Sequence, residues 1–278
     1  MFVVLQIDGR GRYGKTGLRI LDRLRGGRLT SESKQVAGGS YQIVRWSGIG
    51  MPDWELIESA CRRTFNRVLL PQGVHVPDGI RITAPALPRF ERRVLCETAC
   101  EIAKRSGLAL YRRVLGLVDP SGELSGLLPG LLRYYSLVKV VTGNLDLYEK
   151  ESRRMMDELG APVIVGCDPE SLGDCLLVLT CGSGYLQAKK LDVPVLCPDG
   201  FPGGNPCITS PQITPSREII DACPPDISLQ SFAGALFEHC GVVDMNLTAT
   251  AMLCDYRQSS LVEVVRVVSE SALRAGGR

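Results

Sequence analysis

"VLGLVDPSGELSG", Val114 to Gly126, is the stretch on which the fold turns. Five apolar residues, too few for a helix of ordinary length, stop at Asp119-Pro120, and Ser121-Gly122 follow as turn residues. The pattern then repeats down the chain. "SGELSGLLPGLLRYYS" (121–136) is a helical segment interrupted by Pro129, and "VKVVTG" (138–143) is a second strand. "LDLYEKESRRMMDELG" (145–160) is a helix ending at Gly160, and "PVIVG" (162–166) a third strand. "CLLVLTCG" (175–182) and "VPVLCPDG" (193–200) supply a fourth and a fifth. Short apolar runs alternating with helices predict an α/β fold, a parallel sheet covered on both faces.

On either side the pattern is looser. The first 110 residues read as a smaller mixed α/β domain. Its strands are "FVVLQI" (2–7), "YQIVRW" (41–46), "NRVLL" (66–70) and "GIRITA" (79–84), and "RLTSESKQVAGGS" (28–40) is a polar loop. Helices are expected over "PDWELIESACRRTF" (52–65) and "FERRVLCETACEIAKRSG" (90–107), with "PALPR" (85–89) as a linker. The Pro/Gly-rich segment 201–225 reads as a long ordered loop. "ISLQSFAGALFEHCG" (227–241) and "SSLVEVVRVVSESALRA" (259–275) are helices packing back. The expected organisation is thus 1–110, 111–200 and 201–278.

From Arg113 to about Gly200 the arrangement resembles a Rossmann-type dinucleotide domain. The resemblance implies a nucleotide or dinucleotide at the carboxyl ends of the strands, NAD(P) as cofactor, and oxidoreductase chemistry. Its positions here are Asp119, Ser121 and Gly122 after the first strand, Thr142 and Asn144 after the second, and Gly182 after the fourth. The residues depart from the G-x-G-x-x-G fingerprint: Gly122 and Gly126 have other spacing, Asp119 opposes a pyrophosphate, and Pro120 lacks an amide donor. No acid closes the second strand to hold a ribose; Asp146 is the nearest. The helix at 227–241 is similar to the one that follows the cofactor domain in shikimate-dehydrogenase-like enzymes, but no Lys-Asp pair of that family can be matched in the first domain.

A second motif competes. Gly9-x-x-x-x-Gly14-Lys15-Thr16 follows a strand-like run, as in a phosphate loop, whose amides surround phosphates while Lys and Thr meet the β/γ-phosphates and Mg²⁺. This reading makes the protein an NTPase binding Mg-ATP through Gly9, Gly14, Lys15 and Thr16. With Asp119 as the Mg²⁺ partner, both halves would share one sheet. A third reading is a non-catalytic Rossmann-like binding module. Seven cations (Arg10, Arg12, Lys15, Arg19, Arg23, Arg25, Arg28) against Asp22 give it a basic face for an anionic partner: a small phosphate ligand, nucleic acid or lipid headgroup.

The eleven cysteines are scattered with no C-x-x-C pair, which favours buried free thiols over a metal site. His239 sits in an apolar helix as a core residue and His75 in an exposed loop. No Ser-His-Asp, Cys-His or paired-carboxylate spacing names a catalytic nucleophile. With no signal-peptide pattern and no bilayer-length apolar run, the expected location is the cytoplasm.

Overall fold

The structure is a computed structural model, and it describes residues 1–8, 27–48, 51–181, 192–198 and 206–275. The chain divides into two compact units: Met1–Phe90 with Pro215–Asn246, and Glu91–Thr214 with Leu247–Arg278.

The first unit holds a four-stranded sheet of β1 (Val3–Asp8), β2 (Arg28–Val36), β3 (Gly39–Ser47) and β4 (Val68–Leu69), in the order β2-β3-β1-β4. β1 runs parallel to β3 and β4, and its residues Val3 to Leu5 are fully buried. The expected polar loop at 28–40 is instead β2 and a hairpin into β3, turned by Ala37 (φ 48°) and Gly38 (φ 79°). Positive φ at both turn residues matches the twist of paired strands. β2 has no hydrophobic alternation because it is an edge strand exposed along most of its length, and its Glu32 and Lys34 suit an edge that must not recruit another chain. The expected strand at 79–84 is extended chain, tied by Thr83 N to Phe65 O (2.8 Å) and Val68 N to Thr83 O (3.2 Å). Helix α1 (Trp54–Ala60) starts where Asp53 Oδ1 accepts from Leu56 N at 3.0 Å.

The second unit is built on an eight-stranded sheet. Its parallel strands are β5 (Val114–Val118), β6 (Leu137–Val141), β7 (Val163–Val165), β8 (Leu177–Thr180), β9 (Val195–Leu196) and β10 (Cys207–Thr214). β11 (Thr248–Cys254) and β12 (Arg257–Ser260) add an antiparallel edge. The sheet order is β12-β11-β10-β9-β8-β5-β6-β7. Numbered in their own chain order, the six parallel strands lie 3-2-1-4-5-6, the Rossmann order.

Within the segment expected as a long loop, 201–225, lie β10 and, in the first unit, a short helix, α5 (Arg217–Ala222) in the labels used below. Pro211 disguises the strand: Ser210 takes φ 48° and the register with β11 slips between Thr209 and Gln212, a bulge that accommodates the missing donor.

Helix α2 (Pro88–Arg105) supplies Leu95, Ala99, Ile102 and Ala103 to a core shared with Leu115, Leu117, Val138 and Val140. On the opposite face Val118, Val141, Val178 and Val195 pack with Leu172 and Cys175. The segment after β5 is less regular than expected: a 3₁₀ turn (Ser125–Leu127) and then four α-helical residues, α3 (Leu128–Leu131). Helix α4 (Leu145–Leu159) closes on Gly160 in the left-handed conformation. In the first unit α6 (Leu229–Cys240) follows α5 and closes on Gly241, and in the second α7 (Leu261–Ala275) is the last helix among the described residues.

Gly116 fixes how closely this second face packs. A Cβ there would lie 2.9 Å from Val178 Cγ2 and 3.1 Å from Leu172 Cδ2. Gly116→Ala should therefore cost about 1–3 kcal/mol by overpacking, measured as a lower urea midpoint at unchanged m-value. Unaltered stability would show that this face has slack.

Candidate functional site

In a sheet of this order the ligand crevice opens at the carboxyl ends of the strands where the order reverses, here between β5 and β8. The turn that leaves β5 is organised by one side chain. Asp119 is 1% exposed. Its Oδ1 accepts from Gly122 N at 3.0 Å and from Ser121 Oγ at 3.4 Å. Its Oδ2 accepts from Leu124 N at 2.7 Å and from Tyr148 Oη at 2.6 Å. Its carbonyl oxygen accepts from Thr142 Oγ1 at 2.7 Å, and Thr142 Oγ1 accepts in turn from Asn144 N at 3.0 Å. Asn144 Nδ2 donates to Ser121 O at 3.4 Å, so the turns after β5 and β6 are one hydrogen-bonded unit.

Gly122 is required by this geometry. Its φ is +87°, and a Cβ would lie 2.6 Å from Leu147 Cδ2. The Tyr148 hydroxyl is pushed to a higher pKa by burial first and by the Asp119 hydrogen bond next, which keeps it a proton donor. Cys181, the residue after β8, has its thiol pushed up to about 12, mainly by burial and then by the Asp119 carboxylate; Glu123 and Glu91 add to this and Arg92 opposes it. Arg92, on the first turn of α2, pairs with Glu123.

Asp119, Ser121, Gly122, Thr142 and Asn144 thus come together, bonded to one another. Gly182 lies outside the described residues, as do Gly9, Gly14, Lys15 and Thr16. The idea that both halves share a phosphate-loop sheet is overturned: β1 belongs to the four-stranded sheet and β5 to the eight-stranded one. Asp119 is spent on its own turn, and the sheet that contains β1 does not contain β5. Tyr148 escaped the sequence reading because it lies 29 residues from the carboxylate it meets, with no motif between them.

A pyrophosphate at this position needs free turn amides backed by a helix amino terminus. The Gly122 and Leu124 amides are both occupied by Asp119, and behind them stands a 3₁₀ turn with only four α-helical residues after it. At the end of β6, where an acid would hold a ribose, stands Asn144, tied to the first turn. The residues of this turn do not fit a dinucleotide. Among the described residues no group of three or more His, Cys, Asp or Glu side chains could hold a metal ion.

Tyr148→Phe removes one hydrogen bond to a buried carboxylate and little volume. A loss of about 1.5–3 kcal/mol is expected in urea or thermal unfolding, and Asp119→Ala should cost more because it strands several donors at once. A neutral Tyr148→Phe would mean that the amides alone hold the turn.

No protein-family model matches the chain, and no curated protein sequence matches it. Solved structures similar to it include L-tryptophan dehydrogenase from Nostoc punctiforme, at 14% identity over 67% of this chain and 57% of that one, with a TM-score of 0.28. An archaeal alanine dehydrogenase dimer with bound NAD matches at 13% identity over 64% and 55%, TM-score 0.27. Thermococcus litoralis Δ1-pyrroline-2-carboxylate reductase in complex with NADH and L-proline matches at 10% over 65% and 61%, TM-score 0.29. In each case the chain spans less than two thirds of the other protein's length. Similarity at this level bears on neither ligand nor reaction, and the Rossmann assignment rests on the strand order of the sheet.

Proposed function

We propose that the second unit is a Rossmann-like binding module that takes a small ligand in the crevice at the ends of β5 and β8, and that it works without a dinucleotide seated on the first turn. The observation that carries this reading is the saturated Asp119 carboxylate, which occupies the amides a pyrophosphate would need. The strand order supports retention of the crevice itself. Among the described residues no side-chain arrangement around the turn supplies a nucleophile with its base, and burial holds the Cys181 thiol protonated at neutral pH.

A second reading, an NAD(P)-dependent oxidoreductase, is favoured by the same 3-2-1-4-5-6 order. It requires the cofactor to bind without the first-turn amides. Binding of Mg-ATP at Gly9–Thr16, and of nucleic acid or another anionic partner on the basic 10–28 run, concern residues almost all outside the described ones. Among the described residues no helix is long and apolar enough to cross a membrane.

The readings separate in a thermal-shift titration of the full chain with NADH, NADPH and Mg-ATP. A ligand held only by the folded state adds about 2.7 kcal/mol at one hundred times its Kd. The module reading expects no saturable rise with NADH or NADPH. A rise with either would replace it by the oxidoreductase reading, and a rise with Mg-ATP that Lys15→Ala abolishes would restore the phosphate loop.

A further inference from the structure

Around Asp119 four donors converge from two elements: the amides of Gly122 and Leu124 and the hydroxyl of Ser121 from the turn, and the hydroxyl of Tyr148 from α4. Backbone amides that converge on an anion at the carboxyl end of a strand are the working part of a phosphate cradle. Here the cradle is built, and what fills it is a carboxylate of the same chain. We propose that Asp119 is the specificity-determining residue of the crevice: an internal anion that excludes phosphate-bearing ligands, seated in a cradle that takes an external carboxylate or phosphate once Asp119 is removed. This deepens the module reading and rests on it, because a module closed to dinucleotides needs a feature that closes it.

Two features besides the carboxylate help to hold the cradle. Gly122 has a φ of +87°, and a Cβ there would lie 2.6 Å from Leu147 Cδ2 and 3.1 Å from Asn144 Nδ2, so these side chains close in on the turn at this position. The Thr142 hydroxyl anchors the backbone carbonyl of residue 119, a contact that any side chain at that position retains.

The test compares the full-length protein with Asp119→Ala and Tyr148→Phe, titrating each with formate and with inorganic pyrophosphate against sodium chloride at matched ionic strength. Formate returns the missing carboxylate as a free ion; pyrophosphate probes the ligand class that Asp119 keeps out. In Asp119→Ala both should raise the unfolding midpoint saturably, with apparent affinity at least about tenfold above that of the unmodified protein. The unmodified protein and Tyr148→Phe, whose carboxylate is intact, should respond only as they do to chloride. A folded Asp119→Ala with no saturable response to either anion would overturn the proposal, and so would an equal response from the unmodified protein. If Asp119→Ala is unfolded in buffer, refolding driven by formate supports the proposal and failure to refold in formate overturns it. Saturable NADPH binding by the unmodified protein would instead sink the module reading, whatever the formate arm shows.

Discussion

A carboxylate taken out of water must be met by donors on every side, or its burial costs several kcal/mol. Asp119 is met by four, and the second unit is arranged around that requirement. Two of the donors are amides only three and five residues ahead, so the chain must fold back sharply after β5. That reversal places a left-handed residue at Gly122. The fourth donor, Tyr148, fixes the first turn of α4 against the turn after β5. Through Thr142 and Asn144 the constraint reaches the end of β6. One ionisable side chain therefore sets the path of two turns and the position of a helix start.

The sheet beneath tolerates this because its own stability has a separate source. β5, β6 and β8 are buried on both faces, with Leu115 and Leu117 turned to one core and Val118 and Val178 in the other. Each such side chain removed from water is worth about 1.5–3 kcal/mol, so the strands need no help from a ligand to keep their order. Scaffold and crevice can then diverge: apolar packing maintains the strand order while the residues at the strand ends change from a ligand cradle to an internal knot.

This separation also explains how much was legible in the sequence. Five of the six parallel strands are visible as apolar runs: in β5, β6, β8 and β9 burial on both faces forces Val and Leu at most positions, and the edge strand β7 keeps an apolar run although Ile164 is exposed. β10 hid behind Pro211 and its bulge, and β2 behind the polar composition of an exposed edge, because both lack the periodicity that a buried strand shows. At the site, the unsuitability of Asp119 and Pro120 for a pyrophosphate could be read from their chemistry alone. What Asp119 does instead could not: Tyr148 is brought to it only by the fold. A residue that violates a motif announces that the motif's function is altered, and only its contacts say what has taken its place.

The electrostatics of the crevice point the same way. The Cys181 thiol, just after β8, is raised first by burial and next by the Asp119 carboxylate, with Arg92 opposing and Glu123 and Glu91 adding to the shift. The Arg92 guanidinium is itself paired with Glu123. A pyrophosphate would bring further negative charge to a position where the chain has already set a buried carboxylate. Beside a buried carboxylate a second anion is repelled more strongly than it would be in water. Removing the Asp119 carboxylate would therefore do two things at once, freeing the amides and lowering the field against an incoming anion.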